Sequence, residues 1–417
     1  MLLDLSVELL LEIGYKLARS DHKNVRAVCR ETSYAIGPLF FSSISLKSRR
    51  LRLEDGISLL EYLATGQTGW STYAKTLSIE SGIGPKETDS VSDLPADVLK
   101  RLLASALDSL KGIRTVVWKV QSEYALELDA ISEHLQTSSL LENLEVTLDG
   151  YGDPDIQLGQ FSSLRSLKIT TPYWKASPIV PQVSKIVADC SGLTTLHVSG
   201  YRDWADMWST LCANDNLQLR LKDISTTVVT VDLLQYLSSH SGIEKLALLR
   251  ADGGNRAKAD HLADTLVELA CPAGYESGWS FGAHNIDAIC KLAKLKTLTM
   301  SVNAEDVQGV EPSRNAVDLI LRAVAHLPSL ENVSICPASS QSSRGAKCGN
   351  PIIRHHRMMR GAINRALLNF STYDQSSVVV HLGSQPYRLM PVQMAGPPNE
   401  HDPAVEDLLL GYCLFKL

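Results

Sequence analysis

Three groups of residues have the types that catalysis or metal binding would use. Asp189-Cys190, with His197 downstream, offers a carboxylate, a thiol and an imidazole, the parts of an activated nucleophile. The chain holds eight cysteines and eleven histidines, so such neighbours arise by chance. Cys190 also falls where a helix would pack on a strand, the usual setting of an inert thiol. Cys348, His355 and His356 are ligand types, but a structural zinc takes four ligands in compact spacing and no fourth lies near. Gly82-Ile83-Gly84-Pro85-Lys86 has the glycines and lysine of a phosphate loop. Such a loop needs consecutive free N–H groups and a hydroxyl after the lysine, whereas Pro85 removes an N–H and Glu87 adds a repelling charge. It reads as a turn, as does Gly253-Gly254. Arg354, Arg357 and Arg365 share one helical face, without interleaved aromatics, and read as a solvated face rather than a nucleic-acid patch. No nucleophile elbow or metalloprotease helix appears. The chain is therefore expected to have no catalytic centre, metal or cofactor of its own.

The elements say more than these groups do. In residues 3–46, Leu10, Ile13 and Leu17, widened by Leu9, form one face of an amphipathic helix. Ser6 is placed to cap it, with Leu5 and Leu10 as a hydrophobic staple. Asp21 begins a second helix carrying Val25, Val28, Cys29 and Thr32, and Pro38 closes it. Two helices this short bury too little to stand alone.

The order Leu5-x-Val7-Glu8-Leu9, Ile13, Leu17, Asp21, then Val25-Arg26-x-Val28-Cys29-Arg30, resembles the F-box. The ending Pro38-Leu39-Phe40-Phe41-Ser42-Ser43-Ile44 is similar to F-box proteins abundant in filamentous fungi. The chain departs from the pattern at Ser6, where the family usually has proline, at His22, where it has an apolar residue, and at Thr32, near which an aromatic is common. The resemblance implies docking on a Skp-type adaptor and, through it, a cullin ubiquitin ligase. It assigns the adaptor contacts to Leu5, Leu9, Leu10, Ile13, Leu17, Val25 and Val28.

Further on, a helical segment followed by Leu-x-x-Leu-x-Leu, or a variant, recurs. Its middle positions are Leu77, Val116, Leu144, Leu167, Leu196, Ile224, Leu246, Leu269, Leu298 and Val333, 22 to 39 residues apart. Most separations lie near the roughly 20–29-residue period of leucine-rich repeats. The apolar-x-apolar pair puts two side chains on one face of a short strand. A preceding helix, such as the one with Val183, Ile186 and Val187, would cover that strand. One unit cannot bury its own stripe, so neighbours must stack. The expected fold is α/β: a short helical F-box followed by an irregular, leucine-rich-repeat-like α/β solenoid with a concave parallel sheet. The consensus asparagine after each strand is missing, with Tyr201 in its place after Val198, so the stacked backbone needs another support.

The expected boundaries are a helical domain at 1–46, a basic linker at 47–53, repeats over 54–383, and an irregular proline-rich tail at 384–417. In that tail Asp402-Pro403 begins a terminal helix through Leu410. Residues 80–95, 171–181 and 338–351 are inserts. The residues flanking the buried strand positions form the expected substrate surface, with Lys119, Glu145, Lys168, His197, Lys245 and Thr297 foremost and Ser301 included. That surface is rich in hydroxyls, with Glu145, Lys168 and Lys245 as isolated charges, and suits a protein more than a phosphate. Trp204, Trp208 and Trp279 read as packing residues, with a place at the border of that surface as the alternative for Trp204, near Tyr201.

The net charge of −6 gives no global attraction for nucleic acid. No apolar run is long enough to span a bilayer, and Asp4, Glu8 and Glu12 argue against a secretory leader. Scattered cysteines without paired spacing read as reduced thiols of a cytoplasmic or nuclear protein. An F-box before leucine-rich repeats implies the substrate-recognition subunit of an SCF-type (Skp-cullin-F-box) ubiquitin ligase, with an unknown protein substrate bound for ubiquitination and proteasomal degradation. The alternatives are a non-catalytic interaction scaffold whose N-terminal helices only cap the array, and an enzyme with an unrecognised site.

Overall fold

Ser6 opens the first helix as expected, its hydroxyl accepting the Leu9 N–H at 3.5 Å at the head of α1 (Val7–Lys16). The next stretch differs from expectation. In place of one helix from Asp21 to Pro38 there are two, α2 (Arg19–Arg26) and α3 (Arg30–Phe40). The cause is Cys29. Its backbone is extended, its sulfur accepts the Thr32 N–H, and the Thr32 hydroxyl accepts the Cys29 N–H. This reciprocal cap starts a new helix. Pro38 lies inside α3, near its end, where its missing N–H removes one helical bond without stopping the helix.

The computed structural model describes residues 5–47, 51, 53–80, 94–121, 125–149, 156–172, 178–200, 204–212, 219–249, 262, 264–324, 326–340, 350–372, 377–395 and 408–416. The turns expected at 82–86 and 253–254, Tyr201, Cys348 and Asp402-Pro403 lie outside them. The chain forms two compact units, Met1–Asp203 with Asn216–Leu219, and Trp204–Asp215 with Arg220–Leu417.

In the first unit six strands run parallel and in chain order: β1 (Ser43–Lys47), β2 (Thr76–Glu80), β3 (Thr115–Gln121), β4 (Asn143–Asp149), β5 (Ser166–Thr170) and β6 (Thr195–Ser199). Helices α4 (Glu54–Ala64), α5 (Gly69–Tyr73), α6 (Ala96–Asp108), α7 (Ala125–Thr137) and α8 (Ile179–Asp189) lie in the crossovers. The register aligns Ile44, Leu77, Val116, Leu144, Leu167 and Leu196. A second row, two residues on, is Leu46, Ile79, Trp118, Val146, Ile169 and Val198, and all twelve side chains are buried. Val183, Ile186 and Val187 of α8 are buried too. Residues 43–46, expected to end the helical segment, are thus the first strand, and Leu51 of the expected linker is buried.

The second unit contains α9 (Trp204–Cys212), β7 (Asp223–Thr226), α10 (Val231–Ser239), β8 (Lys245–Leu248), β9 (Glu268–Cys271), α11 (Ile286–Cys290), β10 (Thr297–Val302), α12 (Ala316–Val324), β11 (Asn332–Pro337) and α13 (Asn350–Asn369). These five strands are parallel and neighbours in chain order. Ile224, Leu246, Leu269, Leu298 and Val333 share one register row, continued by Val380 of β13 (Val379–Leu382), which runs parallel to β11. The ten repeat positions read from the sequence are therefore aligned within their units. Both units are mixed α/β with an open, mostly parallel sheet, and the described residues include thirteen α helices.

A backbone rail supports the stacking at the N-terminal ends of the strands. The carbonyls of Ser42, Lys75, Arg114, Glu142 and Arg165 each accept two consecutive N–H groups from the next segment, at 2.8–3.1 Å. Lys222, Glu244, Val267 and Lys296 repeat this in the second unit. Three neighbouring pairs on the rail carry opposite charges, Arg114–Glu142 at 3.0 Å, Lys222–Glu244 at 2.8 Å and Lys296–Glu331 at 3.3 Å. Such exposed pairs contribute little stability. The expectation that the consensus asparagine is missing also needs correction at one repeat. Asn303 stands at that place after Met300, is buried, and pairs with both the N–H and the carbonyl of Ser277 at 3.3 Å.

The tail differs most. Residues 385–395 and 408–416 are strands, not irregular chain followed by a helix. β14 (Gln385–Ala395) turns back antiparallel on β13 through Gly383-Ser384, Gly383 having the positive φ of 64° that such a tight turn favours. Its partner on the other side is β15 (Leu408–Lys416), which also pairs with the short β12 (Ser371–Thr372). Leu408–Leu410, expected to end a helix, begin β15. Among the described residues each proline of β14 has a paired neighbour on one side only, where its missing N–H breaks no ladder bond. Pro386 pairs with His381 of β13, and Pro391 with Tyr412 of β15.

One buried base gives the first unit a pH response. The His134 ring of α7 is buried, its Nδ1 is 3.9 Å from the Asp108 carboxylate, and neither ring nitrogen has a hydrogen-bond partner among the described residues. Burial lowers its pKa, opposed by Asp108. The fold thus takes up this proton less readily than the unfolded chain does. The contribution is complete above about 6.5, the ordinary histidine value, and is lost as pH falls through the lower folded value. Between about pH 7.5 and 5, the urea midpoint of the wild type is expected to fall further than that of His134→Leu. Equal falls would contradict this role.

Candidate functional site

The first candidate surface is the outer side of α1–α3. Leu10 and Gly14 face inward, and a Cβ on Gly14 would lie 2.6 Å from Ile36 and 2.7 Å from Leu39 of α3. The small residue therefore lets the helices settle together. His22 Nε2–H donates to the Gly14 carbonyl at 2.9 Å, and its buried Nδ1 has no partner among the described residues. A polar residue stands here, where the F-box pattern has an apolar one, because it satisfies a carbonyl at the end of α1. Arg26 lays its guanidinium over the rings of Phe40 and Phe41, 4.5 and 4.3 Å from their centroids, and Trp70 meets Phe41 edge-on at 4.9 Å. A cation so placed on aromatic faces is held by them. Arg26 thus ties α2 to the end of α3, while Cys29 starts α3.

What remains outside is apolar. Leu9 is 53% exposed, Ile13 38% and Val28 60%, whereas Leu10, at 4%, belongs to the core and cannot serve as a docking contact. Leu5, Leu17 and Val25 are half-buried. Val7, Tyr15 and Tyr34 are exposed on the same helices and were not foreseen.

The second surface is the side of each sheet that carries the flanking residues. In the first unit Glu145, Lys168 and His197 are half-buried register neighbours on β4, β5 and β6, and Lys119 is exposed on β3 beside Thr147. In the second unit Lys245, Glu268 and Thr297 form one register row. Lys245 is not an isolated charge. Its ammonium donates to Glu268 at 2.5 Å, and that bond raises its pKa. Ser301, expected on this surface, is buried and bonded to Ser280 at 3.0 Å, because Phe281 pairs with Val302 and brings its segment over the end of β10. Trp204 and Trp208 are fully buried packing residues, as their sequence reading expects.

The chemical candidates do not assemble. Cys190 is buried, donates to the Phe161 carbonyl, and has its thiol pKa pushed up by burial and by Asp189. His197 lies on the flanking face, opposite the buried Leu196 and Val198. His355 bonds the Ala338 carbonyl at 3.0 Å and His356 the Ser339 hydroxyl at 2.9 Å, which ties α13 to the chain after β11. Among the described residues no cluster of His, Cys, Asp and Glu is placed to hold a metal, and all seven described cysteines are free thiols. No described helix is long and apolar enough to cross a membrane. Scanned against known protein families, the chain matches no family model, and no curated protein matches it.

Proposed function

We propose that the chain is the substrate-recognition subunit of an SCF-type ubiquitin ligase. In this reading α1–α3 form a divergent F-box that docks on a Skp-type adaptor, and stacked leucine-rich-repeat-like units present their flanking residues to a protein substrate. The observation that carries it is the exposure of Leu9, Ile13 and Val28, apolar residues at positions where the F-box resemblance puts adaptor contacts. Aligned repeat positions support the leucine-rich-repeat half. One observation favours the rival scaffold reading. The helices are built into the first unit, with Arg19 donating to the Ser43 carbonyl and Gly69 packed so close to the Phe41 ring that a Cβ there would collide with it, as a cap would be.

Affinity purification of the full chain with mass spectrometry separates the two. The ligase reading expects a Skp-type adaptor and a cullin, and their absence favours the scaffold. Point variants are preferable to deletion of 1–46, which would remove β1 and the buried Ile36. Lys168→Glu with His197→Glu is expected to change the other partners while the adaptor is retained. Lys245 is left alone, because a glutamate there would face Glu268. An unchanged partner set would place substrate selection elsewhere.

A further inference from the structure

Helix α13 buries one side and leaves the other open. Met359, Ala362, Ile363 and Leu367 are buried. Arg354, Arg357, Arg360 and Arg365 are exposed, and so are Ile353, Met358 and Leu368. Helical spacing projects Leu368 between Arg354 and Arg357, with Ile353 and Met358 to either side. The helix contains no Asp or Glu, and among the described residues none of its four arginines makes an ion pair. This concentration of positive charge stands on a chain of net charge −6.

We propose that this face is a docking surface for an acidic protein segment that carries apolar side chains. Guanidinium groups are weakly hydrated and fork onto carboxylates, which suits them to a partly apolar interface. The exposed Ile353, Met358 and Leu368 supply the apolar contact that a purely ionic surface lacks. A single-stranded nucleic acid would call for aromatic side chains to stack on, and α13 has none. A bilayer surface would call for apolar residues segregated from the charges, and here they are interleaved. The inference does not rest on the ligase reading.

The test is fluorescence anisotropy of the full chain with a labelled peptide of repeated Glu-Glu-Leu-Leu units. Saturable binding is expected, weakened by added salt. Arg354→Glu/Arg357→Glu/Arg365→Glu should weaken it by about tenfold or more. Ile353→Ser/Met358→Ser/Leu368→Ser should weaken it by roughly threefold or more. These positions are exposed, so the fold is expected to persist, and an Arg→Gln set carries the test if charge reversal alters the circular dichroism. Absence of saturable binding, or equal affinity in both variants, would overturn the proposal. So would tighter binding to a labelled single-stranded oligonucleotide or to phosphatidylserine vesicles, lost in the same variants.

Discussion

Leu196→Ala and Leu298→Ala are each expected to lower the unfolding free energy by roughly 2–5 kcal/mol. Both side chains are buried, Leu196 at 0% and Leu298 at 1% exposure. Leu298 lies between Leu269 and Val333 in register, and Leu196 lies beside Leu167. Stacked strands cannot collapse onto a missing side chain without shifting the backbone rail that spaces them, so most of the cavity persists. The control is one residue away. Thr195→Ala and Thr297→Ala, on the flanking face, are expected to cost within about 0.5 kcal/mol. Chemical denaturation followed by circular dichroism reads both. A leucine cost no larger than that of the controls would contradict the alternation on which the fold rests.

That alternation is what made the fold legible. Apolar residues at i and i+2, repeated after helical stretches, align because each strand must bury the same face as its neighbour. The signal fails where another rule governs the backbone. Cys29 broke an expected helix because a cap depends on one residue's backbone rather than on periodicity. Pro386 and Pro391 hid β14 because a proline reads as a breaker unless its missing pairing partner is known. Gly383-Ser384 carried a hairpin signal that proline-rich surroundings masked. At the candidate surfaces, residue types were legible but direction was not. Leu10 and Ile13 have the same chemistry, and only the close approach at Gly14 decides which of them turns inward. Glu268, the partner of Lys245, comes from the next strand and needed the register to be found.

Ile13→Asp is expected to abolish capture of a Skp-type adaptor while the fold persists. Ile13 is partly exposed, so a carboxylate there is hydrated in the free chain and is not forced into the core. In a complex the same carboxylate would be desolvated against an apolar partner without a counter-charge. Losing one anchor of such an interface costs about 2 kcal/mol or more, roughly a thirtyfold loss of affinity. Leu10→Ala is the contrasting variant. It should cost stability through the α1–α3 core and weaken capture only as far as the helices loosen. The direct measurement is calorimetric titration of a purified Skp-type adaptor into the full chain and into its Ile13→Asp variant. Saturable binding to the wild type, lost in Ile13→Asp with unchanged circular dichroism, is the predicted result. No binding to the wild type, or undiminished binding to the variant, would contradict the assignment of α1–α3 as an adaptor-docking F-box.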